Sequence, residues 1–305
     1  MKTSDNRTFL NRSYTDTVRG ICMLLIVFSH TANEFPEILS SLHLSRILQC
    51  GTFASAVFFF LSGYGLTISL ESNSIDSNYL QRRFSRLFAP YLFFWIFYLT
   101  SFAIFRPSDV YAGWGKDFLC LKMPEADTWF FRVILCSSAV YIFLYKYAKR
   151  HAAIFTTIIT VAYISACMLY AVPSWWYDTV ICFPLGILHA RCKALSTGDT
   201  GTLVILAVLF LISWNFYIGG MITACAILSI IVARISVMPA ISILHNPMLS
   251  FIGVNSLWIY FMEAIPIDII SSHKTGFLIY VSGGIIISIA LTWAGKKLYT
   301  LIFSK

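Results

Sequence analysis

The chain alternates long apolar runs with short polar connections along almost its whole length. An apolar run of about 20 residues is long enough to cross the hydrocarbon core of a bilayer as a helix. Pro266, late in the ninth run, is expected to kink or end its helix. The ten predicted spans cover residues 17–33, 50–70, 87–105, 128–147, 152–171, 175–191, 202–218, 219–236, 247–270 and 276–302.

Composition and charge agree with a membrane protein. The 305 residues are 58% hydrophobic and only 12% charged, with a mean hydropathy of +0.76. The net charge of +8 also suits a nucleic-acid partner, but the basic residues cluster between the apolar runs. Sixteen of the 22 Lys and Arg residues fall on one side of the ten-span topology, and the positive-inside rule places that side in the cytoplasm. We therefore predict an all-α, polytopic membrane protein with both termini cytoplasmic and no nucleic-acid partner.

The organisation is simple. The sequence shows no internal repeat and no low-complexity segment, so we predict one domain over residues 1–305, with residues 1–16 as a cytoplasmic N-terminal segment. None of the eight cysteines forms a Cys-x-x-Cys pattern, and we expect no metal or redox site.

Arg19 and His30 are the most informative pair in the sequence. They are eleven helical steps apart, about 1,100° of rotation, which brings both side chains onto one face with an offset of about 16 Å along the axis. A charged or titratable stripe on an apolar helix must face protein or water rather than lipid. Arg19 suits an anion because it does not lose its charge. His30 suits proton transfer from a hydroxyl, or alternatively a structural hydrogen bond to a neighbouring helix.

Two carboxylates lie at helical spacing from this pair. Glu34 follows His30 at i+4, where it is predicted to orient the imidazole and fix its tautomer. Asp16 precedes Arg19 by three residues and is predicted to hold the guanidinium in the same way.

A basic cluster precedes the third span. Arg82, Arg83 and Arg86 lie on the predicted inner side, and Arg83 and Arg86 at i,i+3 can present two forks to one phosphate group. Two interpretations stay open at this point, a phosphate site and a determinant of membrane topology.

Two further segments carry candidate acceptor-site or structural residues. Ser62 and Tyr64 flank Gly63 after a run of aromatic residues, where small residues let helices pack closely. Tyr260 and Glu263 share a helix face in the ninth span. A carboxylate deep in an apolar run favours a functional role, with a structural pair that shares a proton as the alternative.

The segments together resemble the acyltransferase family 3 membrane proteins, which include many bacterial O-acyltransferases of surface polysaccharides. The spacing of Arg19 and His30 resembles the signature of that family's first helix. The other similar segments are Phe58-Phe-Phe-Leu-Ser-Gly-Tyr64, Arg83-Phe-Ser-Arg86 with Pro90, Trp129-Phe130-Phe131 and Phe183-Pro184-Leu-Gly186.

The resemblance implies a membrane-embedded acyltransferase domain that transfers an acyl group from cytoplasmic acyl-CoA to an acceptor hydroxyl. Arg19 and His30 would then be catalytic, and Arg83 and Arg86, joined by Arg82, would bind acyl-CoA as a co-substrate, with no permanently bound cofactor. Family members often carry a histidine where this chain has Glu263. The expected partners are acyl-CoA, a glycan or lipid-linked glycan and membrane lipid. The expected location is the bacterial cytoplasmic (inner) membrane.

We therefore predict an O-acetyltransferase that uses acetyl-CoA to modify an O-antigen, capsule or exopolysaccharide. The alternative is a transporter or flippase of a small solute or lipid-linked sugar. This alternative would explain a broken ninth helix. A purely structural membrane subunit is the third possibility.

Overall fold

The computed structural model describes residues 10–37, 49–73, 75–105, 113–122, 128–191, 200–215, 220–236, 246–271 and 277–303. These residues are almost entirely helical and contain no strand, which confirms the all-α prediction. The helices are α1 (Arg12–Asn33), α2 (Cys50–Ser72), α3 (Ser77–Phe105), α4 (Trp114–Leu119), α5 (Trp129–Ala148), α6 (Ala152–Leu169), α7 (Cys182–Arg191), α8 (Thr200–Asn215), α9 (Gly220–Ile235), α10 (Pro247–Val254), α11 (Ser256–Met262), α12 (Ala264–Ser271) and α13 (Phe277–Phe303).

Five of the described helices are long and apolar enough to cross a membrane, namely α2, α3, α5, α6 and the part of α13 from Ile279 to Ile302. A sixth span results if the bent pair formed by α10 and residues 256–267 is one crossing. Large apolar side chains such as Ile158, Val204 and Leu211 are exposed, which suits a lipid-facing surface and not a soluble one. The chain is a multi-pass membrane protein. The ten-span count and the cytoplasmic termini stay predictions.

The sixth predicted span, 175–191, is much shorter as a helix than we expected. Only Cys182–Arg191 is α-helical, and Ser174–Trp176 forms a separate 3₁₀ turn. Pro184 lies in the first turn of this helix, where proline is tolerated. A ten-residue helix is about 15 Å long, which is half the thickness of the hydrocarbon core.

The ninth predicted span breaks at a different residue from the one that we expected. Pro266 lies in the first turn of α12, where its missing N–H would have no helical partner in any case. The break falls instead at Asn255, between α10 and α11, where the axis bends by 68°. The helix continues from α11 into α12, because the N–H of Glu263 donates to the carbonyl of Ile259 and the N–H of Ile267 donates to the carbonyl of Glu263. Glu263 is buried in this second half of the bent span.

Two reciprocal glycine contacts bring helices together closely enough for backbone to touch backbone. A Cβ on Gly253 of α10 would lie 2.8 Å from the nitrogen of Gly20 in α1 and even closer to the carbonyl of Asp16. A Cβ on Gly186 of α7 would similarly lie 2.8 Å from the nitrogen of Tyr64 in α2. These glycines fix α1 against α10 and α2 against α7, which sets the frame around the candidate site.

Contacts along α1 define two ends of the molecule. At its C-terminal end, Thr31 faces Gly284 near the start of α13, and Ser29 faces Gly51 at the start of α2. At its N-terminal end, α1 meets α10 and the later part of α2. We call these the His30 end and the Arg19 end; in the predicted topology they face the outer and the inner side.

Candidate active site

The predicted stripe on the first helix is present. Arg19 and His30 both belong to α1, which begins after an N-cap at Asn11, whose side chain accepts a hydrogen bond of 2.9 Å from the backbone N–H of Ser13. The two residues are separated by about 16 Å along the helix axis. The helix therefore links a cationic position at one end of the molecule with an imidazole at the other.

His30 is paired with Glu263. The Nδ1 atom of His30 lies 2.9 Å from Oε1 of Glu263, across 233 positions of sequence. The Glu263 side chain is only 3% exposed, whereas that of His30 is 46% exposed. The imidazole is thus held by a buried carboxylate on one side and is accessible on the other.

Glu34 does not occupy the position that we predicted for it. Glu34 is exposed at the C-terminal end of α1, where its backbone N–H donates to the carbonyl of Thr31 at 3.3 Å. The carboxylate that the described residues place against the imidazole belongs to Glu263. Glu263 makes this contact because α11, at whose end it lies, packs against α1.

The pair has the geometry of a proton-accepting histidine. Nδ1–H donates to Glu263 in the neutral tautomer that this contact favours, which leaves Nε2 as the acceptor on the accessible side. The second oxygen of Glu263, Oε2, is buried and has no hydrogen-bond partner among the described residues. A buried carboxylate in such surroundings is costly to keep and points to a functional role.

Arg19 has the carboxylate partner that the sequence predicted. Its Nη1 lies 3.6 Å from Oδ1 of Asp16, and the other oxygen of this carboxylate, Oδ2, lies 3.7 Å from Nε of Arg12. The side chain of Arg19 is 31% exposed, and a Cβ on Gly65 of α2 would lie 4.0 Å from its Nη2. Arg19 therefore points to a partly open place between α1 and α2.

The structure divides the three arginines of the basic cluster. Arg83 is half-buried beside Tyr79 and close enough to Arg19 for their charges to repel. Arg82 and Arg86, in contrast, line a cavity of about 380 Å³ between α3 and α13, and Arg83 is not part of its lining. Arg83 with Arg19 and Arg82 with Arg86 form two neighbouring cationic places at the Arg19 end.

Ser62 and Tyr64 lie in the closely packed part of α2. The hydroxyl of Tyr64 accepts a hydrogen bond of 2.8 Å from the backbone N–H of Leu10, just before α1. Since Leu10 and His30 lie at opposite ends of α1, Tyr64 is far from the imidazole. The contact supports the structural interpretation of Tyr64, and Ser62 precedes the glycine that packs against α7.

Tyr260 lies one helical turn before Glu263. It is half-buried, and its ring centroid is 5.6 Å from that of Phe130 in α5. The family-like aromatic start of α5 thus packs against the helix that leads to Glu263.

Sequence reasoning missed a second polar contact across the bundle. Nζ of Lys296 in α13 donates to Oδ1 of Asn255, at the break between α10 and α11. Lys296 is one of the sixteen basic residues on the predicted cytoplasmic side, and its place within the last apolar run was the signal for a polar partner. Within the described ranges, no group of three His, Cys, Asp or Glu side chains could hold a metal ion.

These features define a helical membrane protein with a histidine–carboxylate pair at one end and a cluster of arginines at the other. The chain matches the sequence model of an acyltransferase domain, acyltransferase family 3, over residues 12–296, and it belongs to this family. Searches of curated proteins and of solved structures found no match.

Proposed function

We propose that this membrane acyltransferase transfers an acyl group, most simply acetyl, from cytoplasmic acyl-CoA to a sugar hydroxyl of a cell-surface polysaccharide. The observation that carries the proposal is the contact between His30 and Glu263. His30 belongs to α1, the helix that also carries Arg19. The proposed location is the bacterial inner membrane.

His30 acts as the general base in this proposal. Nε2 accepts the proton of the acceptor hydroxyl while its oxygen attacks the thioester carbonyl carbon. The new C–O bond forms and the C–S bond breaks. The departing thiolate takes the proton from His30, so that the products are an ester and free CoA. Glu263 holds the ring in the required tautomer and stabilises the imidazolium while it exists.

Arg19 and Arg83 are suited to the donor. Guanidinium groups bind phosphate oxygens with charge-assisted hydrogen bonds, and Nε of Arg83 is buried without a hydrogen-bond partner among the described residues. CoA carries its phosphates at one end of a long pantetheine arm and its acyl group at the other. Phosphates held at the Arg19 end therefore allow the arm to extend along α1 toward His30.

The acceptor then approaches from the His30 end. The exposed side of His30 provides a polar contact for a sugar hydroxyl, and the ring of Tyr260, one helical turn before Glu263, is a candidate for contact with the sugar's apolar face. The proposed acceptors are a glycan or a lipid-linked glycan in an O-antigen, capsule or exopolysaccharide.

The test of the function is the base-labile acyl content of the surface polysaccharide, read by NMR. A null strain complemented with the wild-type chain should regain an ester signal that the strain with an empty vector lacks. Absence of the signal from both strains would contradict this acceptor class.

A transporter of a lipid-linked sugar is the second candidate, and the 68° bend at Asn255 is the observation that favours it. Transport depends on a gradient and leaves the polysaccharide chemically unchanged. The appearance of a new ester on the polysaccharide decides between the two.

We expect Glu263→Gln to lower the turnover number at least tenfold with little change in the KM for acyl-CoA. The substitution removes the charge that orients and stabilises His30 but leaves the donor's cationic site intact. The melting temperature should stay equal or rise, because a buried carboxylate with an unpartnered oxygen becomes neutral. A purely structural role for Glu263 would instead lower the melting temperature and activity together. Steady-state kinetics and a thermal scan of the same preparation make the comparison.

A further inference from the structure

Lys296 makes a polar contact inside an otherwise apolar part of the bundle. It is half-buried in α13, and its ammonium group donates to Oδ1 of Asn255. Among the described residues it pairs with no carboxylate. A lysine within an apolar span is costly and is therefore a candidate for a functional role. The neighbouring Lys297, in contrast, is exposed and lies 5.0 Å from the ring centroid of Trp293. Of these two lysines, Lys296 is the one whose charge is directed into the protein.

Asn255 joins the two halves of the bent span to α13. It is 2% exposed and lies where the axis bends by 68°. Its Nδ2 donates to the carbonyl of Phe251 in α10 at 2.7 Å, and its backbone carbonyl accepts a hydrogen bond of 3.0 Å from the N–H of Ile259 in α11. Its Oδ1 accepts from Lys296. One asparagine therefore connects both sides of the bend with a third helix.

The same part of α13 packs against the start of α11. A Cβ on Gly295 would lie 2.8 Å from the ring of Trp258, so the two helices approach closely there. The ring centroid of Tyr299, one turn later, lies 6.2 Å from that of Trp258. Apolar packing has no preferred direction, whereas a hydrogen bond fixes one atom relative to another. Lys296 therefore supplies the directional contact in this interface.

The bend decides where Glu263 lies relative to His30. The close contact between Gly20 and Gly253 fixes the first half of the span, α10, against α1. The second half continues from Asn255 to Glu263 over about 12 Å of helix. At that distance, a change of about 5° in the bend moves Glu263 by about 1 Å.

A shift of that size is enough to break the contact with the imidazole. Nδ1 of His30 lies 2.9 Å from Oε1 of Glu263, and hydrogen bonds from N–H to oxygen extend to about 3.2 Å. Misplacement of a catalytic group by about 1 Å can lower a rate about 100-fold. The direction of α11 therefore controls how the imidazole of His30 is held.

We propose that Lys296 is a positioning residue for acyl transfer, because its hydrogen bond to Asn255 sets the bend that holds Glu263 against His30. The proposal rests on the proposed role of Glu263 in orienting the base. Loss of the ammonium group leaves Oδ1 of Asn255 buried without a partner, which favours a different bend. Lys296 thus acts on the turnover number through Glu263 and not through the acyl donor.

The test is a double-mutant cycle on acetyl transfer from acetyl-CoA to the acceptor polysaccharide, measured with the purified protein in lipid nanodiscs. Lys296→Met should lower the turnover number at least tenfold and leave the KM for acetyl-CoA within about twofold, because the proposed donor site is unchanged. In the Glu263→Gln background, the same substitution should change the turnover number by less than about twofold, since the carboxylate that Lys296 positions is already absent.

Three further variants separate positioning from a general loss of structure. Lys296→Arg keeps a donor for Asn255 and should restore the turnover number to within about threefold of the wild type. Lys297→Met removes the neighbouring exposed charge and should have no effect. Lys296→Gln has a polar side chain that is too short for the contact, and it should show the expected loss even if Lys296→Met does not fold. The elution profile and melting temperature of each variant check its folding.

Four results with these variants would overturn the proposal. Wild-type turnover in Lys296→Met, or an equal loss from this substitution in the wild-type and Glu263→Gln backgrounds, shows that Lys296 does not act through Glu263, while the proposed function stands. A higher KM for acetyl-CoA at an unchanged turnover number assigns Lys296 to the donor. Wild-type turnover in Glu263→Gln removes the role of Glu263 and the inference together. Absence of transfer by the wild type would instead contradict the proposed function itself.

Discussion

Replacement of His30 by alanine should lower the rate of acyl transfer at least 100-fold. The substitution removes the only atom that we assign to proton transfer, and general-base catalysis by a positioned side chain contributes about 10²–10⁴ to a rate. The fold should persist, because the His30 side chain is 46% exposed and the buried Glu263, which loses this partner, can take up a proton and become neutral. The measurement is the ester content of surface polysaccharide in complemented null strains, at equal amounts of protein in the membrane.

His151→Ala is the matched control for this experiment. His151 is an exposed histidine just before α6, and its side chain makes no capping hydrogen bond. The control strain should carry as much ester as the wild type. Equal ester content in the His30→Ala strain would remove His30 from the mechanism, even if the protein is an acyltransferase.

The second large effect concerns stability. Gly253→Ala places a methyl group against the backbone of α1, at the carbonyl of Asp16 and the nitrogen of Gly20. Backbone cannot move aside as a flexible side chain can, so α1 and α10 must separate. We expect a loss of roughly 3 kcal/mol or more in the free energy of unfolding, at the upper end of overpacking effects. Because α1 carries Arg19 and α10 leads to Glu263, activity should fall as well.

Gly283→Ala is the control for this substitution. A Cβ on Gly283 in α13 meets no described atom within 4 Å, and alanine is favoured over glycine inside a helix by about 1 kcal/mol. The melting temperature of Gly283→Ala should therefore equal or exceed that of the wild type. A Gly253→Ala protein as stable as Gly283→Ala would contradict the close contact between α1 and α10.

The sequence was sufficient for features that depend on short stretches of chain. Apolar runs and helical spacing predicted the all-α class and the common face of Arg19 and His30, because both follow from the geometry of a single helix. The same spacing correctly placed Asp16 beside Arg19.

The partner of His30 shows where local patterns fail. Glu34 was chosen because i,i+4 is the nearest carboxylate in sequence, yet Glu263 makes the contact from 233 positions away. The sequence did single out Glu263 as a carboxylate in an apolar run. Its contact with His30 depends on how α10 and α11 pack against α1, and no periodicity encodes that packing.

Helix breaks were similarly predicted from too simple a rule. Pro266 was expected to interrupt the ninth span, but its place in the first turn of α12 makes it harmless. The bend is at Asn255, which contacts Lys296 of another helix. The separation of Arg82 and Arg86 from Arg83 also depends on a neighbour, because only the packing of α13 creates the cavity that two of the three line.

The central claim is that this chain moves an acyl group from acyl-CoA to a surface glycan with His30 as the base. The most direct measurement incubates membranes that contain the wild-type or the His30→Ala chain, together with the acceptor polysaccharide, with [¹⁴C]acetyl-CoA. We expect base-labile label on the polysaccharide with the wild-type membranes and only background label with His30→Ala. Label that appears equally with both chains, or no label from acetyl-CoA on a polysaccharide that carries the ester in the cell, would contradict it.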